Sequence, residues 1–126
     1  AALAEGLVFA QTLGLDMRAA LEVLMSSMAY SRIMDTKGRK MIEGDFRTQA
    51  RLAQHLKDIR LILEAAAEAG QTLPLTEAHR RLLEAAEAAG FGDADNSAVI
   101  RAFTGPAAEM PSHPVSSPPE TTGDAP

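Results

Sequence analysis

At 126 residues, with 46% hydrophobic and 23% charged side chains, the chain has the makeup of one soluble globular domain that buries a core. The absence of cysteine excludes a disulfide framework and a thiolate metal site, and His55, His79 and His113 lie too far apart in sequence to suggest a ligand set, so no metal is expected. A net charge of −5 argues against nucleic-acid binding, and the lack of a membrane-length apolar run or a signal-peptide pattern predicts a cytoplasmic protein with no membrane partner.

In chain order the elements are helical. "AALAEGLVFAQTLG" is alanine-rich, with Leu3, Leu7 and the Val8–Phe9 pair on one broad face before Gly14 closes it. It opens without a capping residue, which predicts that it is the second part of a longer helix in a larger protein. Asp16 supplies an N-cap, and Met17, Leu21, Leu24, Met25 and Met28 follow at helical spacing, the methionines as adaptable core packing. A basic helical segment over 31–43 is broken by "EGDF". From 48 to 69 the stripe Leu52, Leu56, Ile59, Leu63 and Ala66 predicts a central helix about 33 Å long. Leu61 and Ile62 lie off that stripe, so neighbours are expected on more than one side.

Gly70 ends this helix, Pro74 blocks its continuation, and Thr76 is the expected cap of the next, which runs through Leu82, Leu83 and Ala86 to Gly90. A short last helix carries Val99, Ile100 and Phe103, capped by Asp95 or Asn96. Beyond Phe103 the composition changes: six of the seven prolines and no basic residue fall in 104–126, which predicts a disordered tail. The expected class is therefore all-α, with about six helices in 1–103 around the long central one.

Charge is unevenly spread. Eight of the twelve Lys and Arg residues lie between Arg32 and Arg60, against four acidic ones, a pattern that fits either a solvated face or a surface for an anionic ligand. In the middle of the central helix stand Lys57 and Asp58. A turn of 100° per residue puts Lys57 on a face with Ala50, Ala53, Gln54 and Leu61, away from the apolar stripe. Asp58 falls nearer Arg51, His55 and Ile62, where Arg51 and Asp58 are spaced for a surface pair.

The pieces "GLD" at 14–16, Ser31, "MIEGDF" at 41–46, "LKD" at 56–58, "AEAGQTLPL" at 67–75 and "AAGFGDADNSA" at 88–98 span nearly all of 1–103. In this order they resemble the C-terminal domain of the β-hydroxyacid dehydrogenases, the family of 3-hydroxyisobutyrate dehydrogenase and tartronate semialdehyde reductase, related to 6-phosphogluconate dehydrogenase. The resemblance implies a six-helix bundle-like domain of the 6-phosphogluconate dehydrogenase C-terminal type. It further implies NAD or NADP as cofactor, a small hydroxyacid as substrate, and a homo-oligomer. It places Lys57 beside the nicotinamide end of the cofactor and Asp58 next to it in the cleft wall.

Two positions depart from the family pattern: Ala50 stands where a second Phe is common, and Thr48 where Pro is usual. Nor does the chain contain a G-x-G-x-x-G after a strand to cradle a pyrophosphate. The family's general acid/base Lys belongs to a segment expected upstream of Ala1, together with a Rossmann domain. The resemblance thus implies a cleft-closing and oligomer-building domain that has no catalytic residue of its own and is inactive in isolation. The competing class is a non-enzymatic helical dimerisation or interaction module, which the composition fits equally well.

Overall fold

Where the helices begin and end is set by a few residues. The computed structural model describes residues 1–104, and those residues are all-α, with one isolated antiparallel bridge, Arg51 to Asp95, as their only β pairing. Helix α1 (Ala2–Thr12) buries Ala4, Leu7 and Ala10, with Leu3 and Val8 partly covered. This face is rotated from the expected one, so Phe9 points outward and is 63% exposed. At the start of α2 (Met17–Met25) the Asp16 carboxylate accepts the Ala19 N–H at 2.8 Å, the expected cap. Met17 and Leu21 pack inward. The Ser26 and Ser27 hydroxyls donate to the Glu22 and Leu24 carbonyls where α2 ends, which leaves Met28 outside the helix and fully exposed. Met25 is also exposed, so neither of these methionines is core packing; Met17, Met34 and Met41 are.

The basic segment is helical over 32–43, but with a π-helical turn at Met34–Gly38 before α3 (Arg39–Glu43). The wider turn brings Met34, Lys37 and Gly38 all into the interior. Gly38 is required by close approach: a Cβ there would stand 2.7 Å from both Leu21 methyls. Gly44, with φ of +66°, then reverses the chain.

Helix α4 (Leu52–Glu68) is shorter than expected, 17 residues or about 26 Å, because residues 45–51 form a non-helical strap that bends at 49 and 50 before it. Leu52, Leu56 and Ile59 are buried as the stripe predicts. Leu61 and Ile62 are 52% and 49% exposed, so in this chain α4 is covered on one side rather than several. That side meets α5 (Pro74–Ala86), across which Arg60 and Glu84 pair at 3.0 Å. Pro74 is the first residue of α5, where its missing N–H costs nothing, so Thr76 lies inside the helix and does not cap it. A π-helical turn at Glu87–Phe91 broken at Gly90 leads to a 3-10 helix, Asn96–Ile100, and to α6 (Arg101–Thr104). Ser97, Ala98, Val99 and Ile100 are buried against the core of Leu7, Leu52, Leu56 and Leu83. Thr104, the first residue of the expected tail 104–126, is still part of α6, and 105–126 lie outside the described residues.

Candidate cofactor site

The strap that enters α4 is clasped along its length by the 92–96 loop. Phe46 accepts the Asp95 N–H at 3.0 Å, Ala50 accepts the Asn96 N–H at 2.8 Å, and the Leu52 and Ala53 N–H groups donate to Ala94 and Gly92 at 2.9 Å each. The Thr48 hydroxyl adds a bond to the Asp93 carbonyl, and Lys40 donates to the Arg47 carbonyl at 2.9 Å. Phe46 stands edge-on to Phe91, with the Arg101 guanidinium against both rings. Ala50 is thus part of the strap and not of α4, which removes it from the face of Lys57.

Under the strap lies an ion pair. Lys37 reaches both oxygens of Asp95 at 2.9 Å, and the same carboxylate accepts the N–H groups of Gln49, Ala50 and Ser97 at 3.0 to 3.1 Å. Asp95 is wholly buried and Lys37 nearly so. Burial by itself pushes the Asp95 carboxyl up, but the bonds from Lys37, Ser97 and Ala50 outweigh it and hold the group well below the usual carboxylate range. Asp95 was legible as a helix cap; its partner was missed. The available signal was Lys37 standing on the face between Met34 and Met41, where a cation needs a buried anion.

Lys57 and Asp58 lie in the middle of α4, both exposed. Asp58 accepts from the Gln54 side-chain amide at 3.2 Å, while Arg51 pairs at 3.6 Å with Asp93, so the expected Arg51–Asp58 contact is not made. Of the eight cations between Arg32 and Arg60, five are occupied: Lys37 by Asp95, Lys40 and Arg47 by Asp45, Arg51 by Asp93, and Arg60 by Glu84. The stretch is therefore no broad polyanion surface. Lys57 enters no ion pair among the described residues, and its ammonium is available to an anionic or carbonyl group brought to this face of α4. The described residues offer no strand-turn-helix cradle for a pyrophosphate.

Elsewhere on α4, His55 faces His79 of α5 with ring centroids 5.1 Å apart. Burial, the Ala1 ammonium and His55 together lower His79 from 6.5 to about 4. The unfolded chain thus takes up this proton first as pH falls. Stability should decline from about pH 6.5 to about pH 4, by roughly 1 to 2 kcal/mol after discounting for solvent screening, and level off below for this group. Urea midpoints of the 126-residue chain, which carries the Ala1 ammonium, check it across that interval, and His79→Gln should flatten the slope. Among the described residues no three His, Asp or Glu side chains converge as a metal site, and no helix is long and apolar enough to cross a membrane.

Fold and site together define a helical domain whose long helix carries one exposed cation without an ion pair among the described residues, Lys57, next to the Asp58 carboxylate. Residues 1–103 match the family described as NAD-binding of NADP-dependent 3-hydroxyisobutyrate dehydrogenase. The chain belongs to this family. It is 34% identical over 102 residues to 2-hydroxy-3-oxopropionate reductase of Escherichia coli, covering 81% of this chain and 35% of that protein. It is 37% identical over 99 residues to cytokine-like nuclear factor N-PAC of Aedes aegypti, covering 79% of this chain and 18% of that one. Among solved structures, 3-hydroxyisobutyrate dehydrogenase of Salmonella typhimurium superposes with a TM-score of 0.76 at 25% identity, over 79% of this chain and 35% of the other. The Mycobacterium tuberculosis 3-hydroxyisobutyrate dehydrogenase gives 0.73 at 28% identity, over 82% and 38%. The chain thus spans about a fifth to a third of the curated relatives it matches.

Proposed function

We propose that residues 1–103 are the cleft-closing and oligomer-building domain of an NAD(P)-dependent dehydrogenase for a small β-hydroxyacid, of the 3-hydroxyisobutyrate or 2-hydroxy-3-oxopropionate type. In this reading the domain is a six-helix bundle of the 6-phosphogluconate dehydrogenase C-terminal kind. It works in the cytoplasm with a Rossmann domain of the same protein as its first partner, and 104–126 is a separate tail. Lys57 and Asp58 form part of the wall on the cofactor side. The supporting observation is that Lys57, like Arg32 and Arg39 in the same stretch, is exposed and without an ion pair among the described residues, and that of these three it alone stands on α4.

Bound NAD(P) supplies the hydride chemistry; this chain's own contribution is to place an ammonium and exclude water at one end of it. The ammonium of Lys57 would donate to a polar group of cofactor or substrate, while the neighbouring Asp58 carboxylate accepts from Gln54, one turn back along α4. No proton transfer is assigned to this chain. The isolated 126-residue chain should therefore show no turnover.

Lys57→Ala in the full-length protein tests the assignment. Loss of one charge-assisted hydrogen bond is worth about 1.5 to 3 kcal/mol, or roughly ten- to a hundredfold in kcat/KM. Alanine keeps the helix, so the melting temperature should hold. Arg60→Ala removes only a half-exposed pair with Glu84 and should change kcat/KM far less. Wild-type kcat/KM for Lys57→Ala would make it a solvated helix residue. A second reading, a non-enzymatic interaction module, is favoured by the likeness to N-PAC, whose name carries no reaction. Absence of NAD(P) binding by the full-length protein would select it.

A further inference from the structure

We propose that Lys37 and Asp95 are positioning residues for the cofactor-side wall: their buried pair sets where the 46–51 strap lies and how α4 rises from it. The inference rests on the proposed function of that wall. A buried Lys–Asp pair is a poor choice for stability alone, since well-packed apolar side chains of similar volume often serve as well. What this pair does that apolar residues cannot is bond three backbone segments at one point. One carboxylate oxygen takes the Gln49 and Ala50 N–H groups of the strap at 3.0 and 3.1 Å, and the other takes the Ser97 N–H at 3.1 Å. Lys37, brought inward by the π-helical turn, spans both oxygens at 2.9 Å and holds the carboxylate plane against rotation.

Beyond its bonds to the 92–96 loop and to Lys40, the strap borders open space. Thr36, Lys40, Asp45, Arg47, Thr48 and Gln49 line a cavity of about 400 Å³, so the strap has the ion pair on one side and unfilled space beside it. Without Lys37 the Asp95 carboxylate is free to turn away from the Gln49 and Ala50 amides, and the strap could shift toward that space. The start of α4 at Leu52 would shift with it.

The test uses the full-length protein, with NADPH and 2-hydroxy-3-oxopropionate as probes, at a temperature where each variant is fully folded. Lys37→Met should raise KM for NADPH about tenfold, the scale expected when a binding group is displaced by a fraction of an ångström. Lys37→Gln, which keeps one N–H donor toward Asp95, should recover part of that. Leu83→Val, a core change on α5 that destabilises without touching the strap, should leave KM at the wild-type value. An unchanged KM in Lys37→Met overturns the proposal; if that variant does not fold, an unchanged KM in Lys37→Gln does so. Should Lys57→Ala be silent while Lys37→Met raises KM, the strap positions the cofactor by itself. Only the assignment of Lys57 then falls.

Discussion

Asp95→Ala is expected to lower the unfolding free energy by about 3 to 5 kcal/mol, the usual effect of removing one partner from a buried ion pair. Lys37 would be left as an interior ammonium without its anion, and the N–H groups of Gln49, Ala50 and Ser97 would lose their acceptor together. Urea denaturation of the 126-residue chain at pH 7 measures it. The sign with pH follows from the depressed Asp95 carboxyl: its contribution is present above the ordinary carboxylate value of 3.8 and is lost as pH falls toward the folded one. The gap between wild type and Asp95→Ala should therefore narrow at strongly acid pH. A difference under about 1 kcal/mol at pH 7 would mean a carboxylate in contact with water.

Leu56→Ala should cost about 2 to 5 kcal/mol, because the side chain is wholly buried among core residues and its removal leaves a cavity. Leu61→Ala, five residues on along the same helix and half exposed, should stay within about 0.5 kcal/mol. Denaturant midpoints of the two variants decide between a helix covered on one side and one covered on several. Equal losses would show that the Leu61 face is packed in solution.

Much of the helical plan was legible because it depends on local rules. Asp16 and Asp95 announce caps through a short carboxylate before an apolar run, and Gly14, Gly44, Gly70 and Gly90 mark reversals that the structure makes with positive φ. The stripe of α4 was readable from its spacing. What failed depended on long-range contacts. Thr76 looked like a cap because the hydroxyl type is right, but Pro74 starts α5 two residues earlier. Helix α4 starts four residues later than its spacing suggests because bonds to the 92–96 loop hold 45–51 out of the helix, which no property of 48–51 alone announces. Leu61 and Ile62 were read as covered because apolar type does not say whether a neighbour is present.

At the site, Lys57 and Asp58 were singled out by family resemblance more than by spacing. The structure narrows the choice that spacing left open: five of the eight cations are occupied by carboxylates, and of the remaining three, Arg32, Arg39 and Lys57, only Lys57 is on α4. The Lys37–Asp95 pair joins residues 58 positions apart, a separation at which a single sequence carries no pairing signal.

The most direct test of the cofactor-side wall is chemical labelling of lysine amines in the full-length protein, with and without saturating NADPH, read peptide by peptide. Lys37 should react slowly in both states, since it is buried against Asp95. Lys57, exposed and without an ion pair in the chain alone, should be labelled readily in the absence of NADPH and be protected severalfold in its presence. Equal labelling of Lys57 in the two states, with NADPH shown to be bound, would remove this face of α4 from the cofactor site.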